Sequence, residues 1–271
     1  LNSNYNKEQL GWAENAAARP RWKRILDIVL ILLAFPVLLP LMVLISIVIR
    51  IVSAGPVLFK QERIGYLGDR FLCYKFRTMH VNSDTGVHQG YLNQLMNSDA
   101  PMIKMDSSGD PRIIRFGRLL RSSGLDELPQ LINILRGEMS LVGPRPCVSY
   151  EYEKYLPWQR ERFNTVPGLT GLWQVSGKNR TTFTEMIQLD IRYARSKTLW
   201  LDLKIIIRTI PTLLVQVWET RVKNKSMGRA VSSKVIMSNQ SEDECCLQKA
   251  TLIQVVSAAT DTEHRRKLGI Q

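Results

Sequence analysis

The chain has 271 residues, of which 45% are apolar and 23% charged. That is enough to bury a core in one domain of ordinary size, and too apolar for wholesale disorder. Lys and Arg number 37 against 24 Asp and Glu, a formal net charge of +13, so an anionic partner is expected: nucleic acid, an acidic membrane surface or a phosphorylated substrate. Cys73, Cys147, Cys245 and Cys246 show neither metal-ligand spacing nor a disulfide framework, which favours a reducing compartment. His80, His88 and His264 form no HExxH, which argues against a His-based zinc site or a Ser-His-Asp triad.

Residues 1–20 are polar and read as a tether; the chain starts at Leu1 rather than Met, consistent with an upstream portion. Residues 25–49 are almost unbroken hydrocarbon. As a straight helix they extend about 37 Å, enough to cross a ~30 Å bilayer core. The stretch is too long for a signal-peptide core and lacks a small-residue cleavage site. Basic residues flank it on both sides (Arg19, Arg21, Lys23 and Arg24 before; Arg50, Lys60, Arg63 and Arg70 after), so the positive-inside rule gives little orientation. Pro36 and Pro40 each remove a backbone donor and favour a bend. Two topologies fit equally: a hairpin that dips into one leaflet and returns, or a kinked single span. Asp27 sits near the interface end, where an ionised carboxylate costs least.

Residues 57–79 alternate apolar with polar around Gly65 and Gly68, which predicts a β-hairpin. Residues 80–111 read as a loop with one short helix near Tyr91–Met96. Leu128, Leu131, Ile132, Leu135 and Met139 mark an amphipathic helix, with Asp126 as its expected N-cap, Pro129 in its first turn and Gly137 as its stop. LVGPRP reads as a stiff extended turn, residues 166–180 as a glycine-rich loop, and residues 182–196 as a helix. Residues 199–218, apolar with Trp at both ends and Lys204 and Arg208 between, form either an interfacial helix or a second core helix. No aromatic residue follows Trp218, so residues 219–271 are expected to be a weakly structured tail.

Four groups of residues suggest chemistry. Asp126 and Glu127 at a helix start would face unpaired N–H groups and the positive dipole end, which keeps Asp126 ionised as a nucleophile and favours a nearby phosphate. Glu127 can offer oxygen to Mg²⁺. An ordinary N-terminal cap has the same residues. Arg112, Arg115, Arg118 and Arg121 recur every third residue, as a phosphate-binding ramp or a solvated basic face. Gly143-Pro144-Arg145-Pro146 holds Arg145 between residues of fixed φ, either for an anion or as a plain turn. Lys75 and Arg77 alternate with aromatics on a strand, facing an anion or guarding an edge. Gly171 to Lys178 imitates a P-loop but has the wrong glycine spacing and Asn179 in place of Ser or Thr, and is rejected.

Five segments, in order, carry a resemblance: KRILD, GPVLFKQERIG, YKFRTM, RSSGLDELPQLINILRGEMSLVGPRP and VPGLTGLWQVSGKN, within a stretch from about Lys23 to about Pro211. Together they resemble the bacterial sugar transferase family, the monotopic phosphoglycosyl transferases that initiate surface glycan assembly. The resemblance implies an α+β, mostly helical fold, with a re-entrant membrane helix-break-helix, a small catalytic domain and interfacial amphipathic helices. The expected organisation is a tether (1–20), a membrane hairpin (21–53), the catalytic domain (54–218) and the tail (219–271).

The resemblance also implies that Asp126 attacks the β-phosphate of a UDP-sugar, releasing UMP. The phosphosugar then passes to undecaprenyl phosphate, in exopolysaccharide, capsule or lipopolysaccharide synthesis. Glu127 would bind Mg²⁺, and Lys75, Arg77, Arg121 and Arg145 would contact phosphate or nucleotide. The implied setting is the bacterial inner membrane, with the domain on the cytoplasmic face. The implied partners are UDP-sugar, undecaprenyl phosphate and membrane lipid, without nucleic acid; a homo-oligomer stays open. This sequence departs from the family at the helix break, where Leu39-Pro40 replaces the usual Ser-Pro and Pro36 is added. The tail after Lys223 matches nothing in the family. From other classes, a non-catalytic membrane-anchored binder of anionic lipid or nucleic acid, and an inactive scaffold, remain alternatives; the binder would need neither Asp126 nor Mg²⁺.

Overall fold

The computed structural model of the protein describes residues 20–80, 90–91, 94–96, 98, 100–102, 112–177 and 180–218. All of these belong to one compact unit that ends at Trp218. The unit is mostly helical with a few short strands, built around one long apolar helix.

That helix, α1 (Arg21–Val52), continues through both Pro36 and Pro40. The expected break is therefore not a change of backbone state. The two prolines leave the carbonyls of Leu32 and Pro36 without their helical donors, which weakens the ladder without ending it. One stripe of α1 is buried: Lys23, Asp27 and Ile31 at four-residue spacing, then Ile45 and Ile49. Most of the remaining surface is exposed hydrocarbon, including Leu32, Leu33, Val37, Val43 and Ile47. Among the described residues α1 is the one helix long and apolar enough to cross a membrane, and a patch of this size calls for a bilayer around it.

Polar contacts lock the start of α1 to the domain. Arg24 donates to the carbonyls of Ile134 and Leu135, satisfying groups at a helix C-terminus. Asp27 accepts from the Ser140 hydroxyl at 3.1 Å and the Leu141 N–H at 2.9 Å. Lys23 is ion-paired with Asp202, and its ammonium donates to the Tyr193 hydroxyl at 2.8 Å.

The hairpin predicted around Gly65 and Gly68 is present. Strands β1 (Leu58–Ile64) and β2 (Arg70–Phe76) pair antiparallel, with Leu58 opposite Phe76 and Ile64 opposite Arg70. Period-two alternation puts Gln61, Arg63, Cys73 and Lys75 on one face. After α2 (Gly117–Ser123) and a 3₁₀ turn (Leu125–Glu127) comes α3 (Gln130–Arg136). Gly137, at φ 83°, stops α3 as expected. Asn133, fully buried, clamps α3 to β2: its Oδ1 accepts from the Tyr74 N–H at 3.1 Å and its Nδ2 donates to Leu72 O at 2.7 Å.

Two segments read as a turn and a loop instead contain strands. β3 (Ser140–Val142) and β4 (Gly168–Thr170) pair in parallel. Glycine makes this possible: a Cβ at Gly168 would lie 2.0 Å from Gly143 N, and one at Gly143 would lie 2.3 Å from Val166 O. Backbone packs directly on backbone here, so any side chain would force the segments apart. The remaining helices are α4 (Ser149–Tyr152), α5 (Leu172–Val175), α6 (Phe183–Ser196) and α7 (199–218). A capping box of Thr182 and Glu185 starts α6 where the sequence predicts a helix.

Of the predicted short helix near Tyr91–Met96, residues 90–91 and 94–96 are helical. Most of the rest of that loop (81–89, 92–93, 97, 99 and 103–111), the tether up to residue 19, Lys178, Asn179 and the tail 219–271 lie outside the described residues. The arginine ramp does not form as a helix face: Arg118 and Arg121 are in α2, while Arg112 and Arg115 precede it.

Candidate active site

Gly124, in the left-handed region at φ 74°, ends α2 and turns the chain into the tight Leu125–Glu127 turn. Asp126 therefore sits in a 3₁₀ turn just ahead of α3 rather than at an α-helical N-cap; the cap position of α3 is Pro129. The turn is held by Glu127 N–H to Gly124 O at 3.1 Å and Leu128 N–H to Leu125 O at 3.3 Å. Leu125 and Leu128, on either side of the carboxylates, pack into one apolar cluster with Leu41, Met42, Ile45, Ile49, Phe76 and Leu120. The acidic pair is thus fastened to the far half of α1. Asp126 is 9% exposed.

Beside this turn lies a cleft. One wall is the hairpin face with Arg63, Cys73 and Lys75; the others are Glu127 and Gln130, Arg145 and Pro146, and Gly168, Leu169 and Gln174. The Lys75 ammonium is 2.7 Å from Glu127 Oε1. The structure therefore brings Lys75, Glu127 and Arg145 together, three of the residues expected from sequence. Arg121 donates to the Thr78 hydroxyl at 3.4 Å. Arg77 points elsewhere: it donates to Ala54 O at 2.6 Å and Ser53 O at 2.7 Å, just past the end of α1, where helix-terminal carbonyls need donors. Pro36 and Pro40 are exposed on α1.

The cleft also contains residues not picked out from sequence as site residues. Arg63 donates to Pro146 O at 3.1 Å and Gln61 Oε1 at 2.6 Å, yet its Nε is buried without a partner. Burial, then repulsion from the Arg145 guanidinium, pushes the Arg63 pKa down. Gln174 donates from Nε2 to Leu169 O at 3.1 Å, leaving a buried Oε1 with no partner. One orphan donor and one orphan acceptor line a cleft where two guanidiniums repel each other. Such a site is suited to an anion that also carries polar hydrogens. Arg63 lies inside the QERIG segment, where its place on the hairpin face was a usable signal; neutral Gln174 gave none.

A buried network braces the cleft from behind. Arg162, 1% exposed, donates to Arg145 O at 2.9 Å, Tyr155 Oη at 2.6 Å and Asp190 Oδ2 at 2.6 Å. It ties the Pro-Arg-Pro loop to α6. Cysteines here are inert: burial pushes the Cys147 thiol up to about 12 and raises Cys73 as well. Since the thiolate is the reactive form, iodoacetamide at neutral pH should label Cys73 and Cys147 only after unfolding, as peptide mass spectrometry would show.

For Mg²⁺, the donor set is limited but suitable. Asp126 and Glu127 offer hard oxygen, and no group of three or more His, Cys, Asp or Glu gathers among the described residues. Mg²⁺ keeps waters and takes one or two carboxylates together with substrate phosphates. The residues therefore fit a cation shared with a bound diphosphate, rather than a closed protein cage.

The family description "Bacterial sugar transferase" matches residues 18–216, from before α1 into the last turn of α7. The chain belongs to the bacterial sugar transferase family. It is 41% identical over 200 residues to the UDP-glucose:undecaprenyl-phosphate glucose-1-phosphate transferase of Caulobacter vibrioides, covering 71% of this chain and 69% of that protein. It is 37% identical over 203 residues to the exopolysaccharide production protein ExoY of Sinorhizobium fredii, covering 74% and 90%. Identity to the galactosyl transferase CpsE of Streptococcus agalactiae is 41% over 164 residues, covering 60% of this chain and 36% of the relative. The chain thus spans about a third of the length of one relative and nearly all of another.

Proposed function

We propose that this protein transfers a sugar 1-phosphate from a UDP-sugar to undecaprenyl phosphate, through a phosphosugar carried on Asp126. The observation that carries the reading is the placement of Asp126-Glu127 on a turn packed against α1, beside a cationic cleft with unmet polar groups. A lipid phosphate and a soluble nucleotide must meet at a membrane surface, and this site is fastened to the apolar helix.

In this reading an Asp126 carboxylate oxygen attacks the sugar-bearing β-phosphorus. The bond to the bridging oxygen breaks, and UMP leaves with that oxygen. A phosphate oxygen of undecaprenyl phosphate then attacks the same phosphorus, giving the lipid diphosphate sugar and freeing the carboxylate. Lys75, Arg63 and Arg145 bind and orient the diphosphate. Glu127, next to the nucleophile, would hold Mg²⁺, which when bound draws negative charge from the diphosphate. As phosphate enters, Lys75 can turn from Glu127 towards it, freeing the carboxylate oxygen. Asn133 and Arg162 hold the strand and loop that bear these cations.

α1 meets the same domain near both ends, through Asp27 with Ser140 and Leu141, and through Ile45 and Ile49 with Phe76 and Leu120. We read it as re-entrant, bent at Pro36 and Pro40, with both ends and the domain on the cytoplasmic face of the bacterial inner membrane. Relatives carry glucose and galactose transferase names, and the expected process is initiation of exopolysaccharide or a related surface glycan.

The test is UMP release by detergent-purified protein across a panel of UDP-sugars, with and without undecaprenyl phosphate. Lipid-dependent release with one preferred sugar is expected; no release from any donor by folded protein would favour a membrane-anchored binder. EDTA should cut release by about 10²-fold or more, with Mg²⁺ restoring it. Unchanged release in EDTA would remove the metal from the account.

A further inference from the structure

A second concavity lies behind α5. Gln174 of that helix faces the catalytic cleft, whereas Leu172, Val175 and the following Ser176 line a separate groove of about 330 Å³ between α5, α6 and α7. Its floor is hydrocarbon: half-buried Leu172, Val175, Leu189 and Leu201, and buried Ile205. Its rim is cationic, with Arg192 from α6 and Lys204 and Arg208 from α7, all exposed. No carboxylate lines it, and among the described residues none of these three cations has an acidic partner.

The geometry of α7 says where this groove opens. Trp200, Ile207, Leu214 and Trp218 recur at seven- and four-residue spacing and are exposed, forming an apolar face with aromatic ends. Asp202 and Ile205 are buried on the other side. Lys204 and Arg208, one turn apart, lie on the flank between the two faces. An interfacial helix presents its snorkelling cations at this flank, level with lipid headgroups. Asp202 also binds Lys23 at the start of α1, so the two apolar helices are joined at their N-terminal ends.

We propose that this groove is a binding site for the headgroup of an anionic bilayer phospholipid, with the phosphate held by Arg192, Lys204 and Arg208 and the first part of the acyl chains on the Leu172–Val175–Ile205 floor. The observation that decides the occupant is the pairing of an apolar floor with a polar rim, Ser176 and Ser196 included, whose charged residues are all cationic, at the edge of a membrane-facing helix. A resident lipid fits better than the reacting one, because the groove shares no lining residue with the cleft and α5 stands between them. The site orients the domain on the membrane and stands independently of the transfer reading.

The test titrates the full chain in neutral detergent with phosphatidylglycerol or phosphatidylcholine and counts retained lipid by native mass spectrometry. Phosphatidylglycerol is expected to be preferred. Arg192→Gln/Lys204→Gln/Arg208→Gln should weaken its retention about tenfold or more. Lys60→Gln/Arg70→Gln, which removes two exposed hairpin cations, should leave it within about twofold. If the triple variant melts early, Lys204→Gln and Arg208→Gln singly carry the same comparison. Equal loss in groove and hairpin variants, or no preference over phosphatidylcholine, would overturn the proposal in favour of diffuse surface charge. Displacement by inorganic phosphate at matched concentration would make the groove a free-anion site. Displacement by undecaprenyl phosphate, together with a raised KM for it in the triple variant, would make it the acceptor's site. Either result overturns the phospholipid assignment.

Discussion

Asp126→Asn should lower sugar-phosphate transfer by at least about 10³-fold, while the protein still folds and co-sediments with membranes. The substitution keeps the shape of the side chain and removes only its charge and nucleophilicity. The turn that holds residue 126 is made by backbone bonds from Glu127 and Leu128 and by the packing of Leu125 and Leu128, none of which needs the carboxylate oxygen. Turnover within about tenfold of the parent would remove Asp126 as nucleophile, since a bystander carboxylate changes rates only by field effects of that size. A loss of both activity and membrane association would point to a structural role for the residue.

The largest stability effect is expected behind the cleft. Asp190→Asn leaves the Arg162 guanidinium, 1% exposed, without its anionic partner. Arg162 stays charged in any case, because a guanidinium does not give up its proton in a protein. Burial raises the Asp190 pKa and the Arg162 guanidinium opposes that rise; the 2.6 Å contact of the two groups is an ion pair. Removing one member of a buried pair costs roughly 3–5 kcal/mol, a fall in Tm on the order of 10 °C for a domain of this size. A melt within a degree or two of the parent would show that the pair is not what holds α6 to the Pro-Arg-Pro loop. At temperatures where Asp190→Asn remains folded, its KM for the nucleotide sugar should rise more than its kcat falls, because Arg145 loses its brace.

What the sequence disclosed depended on how local the cause was. The β1–β2 hairpin follows from alternation around two glycines, and α6 follows from its Thr182–Glu185 cap, so both were visible in a short window. The apolar helix was unmistakable by length, but not its contacts: Asp27 with Ser140, or Lys23 with Asp202, join residues more than a hundred apart. The same limit hid the fate of Arg77. On a strand it looked like a partner of Lys75, yet Ser53 and Ala54 carbonyls at the end of α1 capture it. The β3–β4 pair was missed because three-residue strands have no period to read. Their cause is instead the close contact of Gly143 and Gly168, glycines that looked like loop residues. In the cleft, charge was legible and neutrality was not: Lys75, Glu127 and Arg145 line it together, whereas Gln174 stands out only through a buried oxygen without a partner.

The most direct test of the account is to incubate the protein with its preferred UDP-sugar without lipid acceptor, digest it, and measure the peptide containing Asp126 by mass spectrometry. The account predicts a phosphosugar adduct on Asp126, formed with one UMP per adduct and discharged when undecaprenyl phosphate is added. UMP released only after the lipid is added, with no adduct on any residue, would contradict it and point to direct transfer between the two substrates.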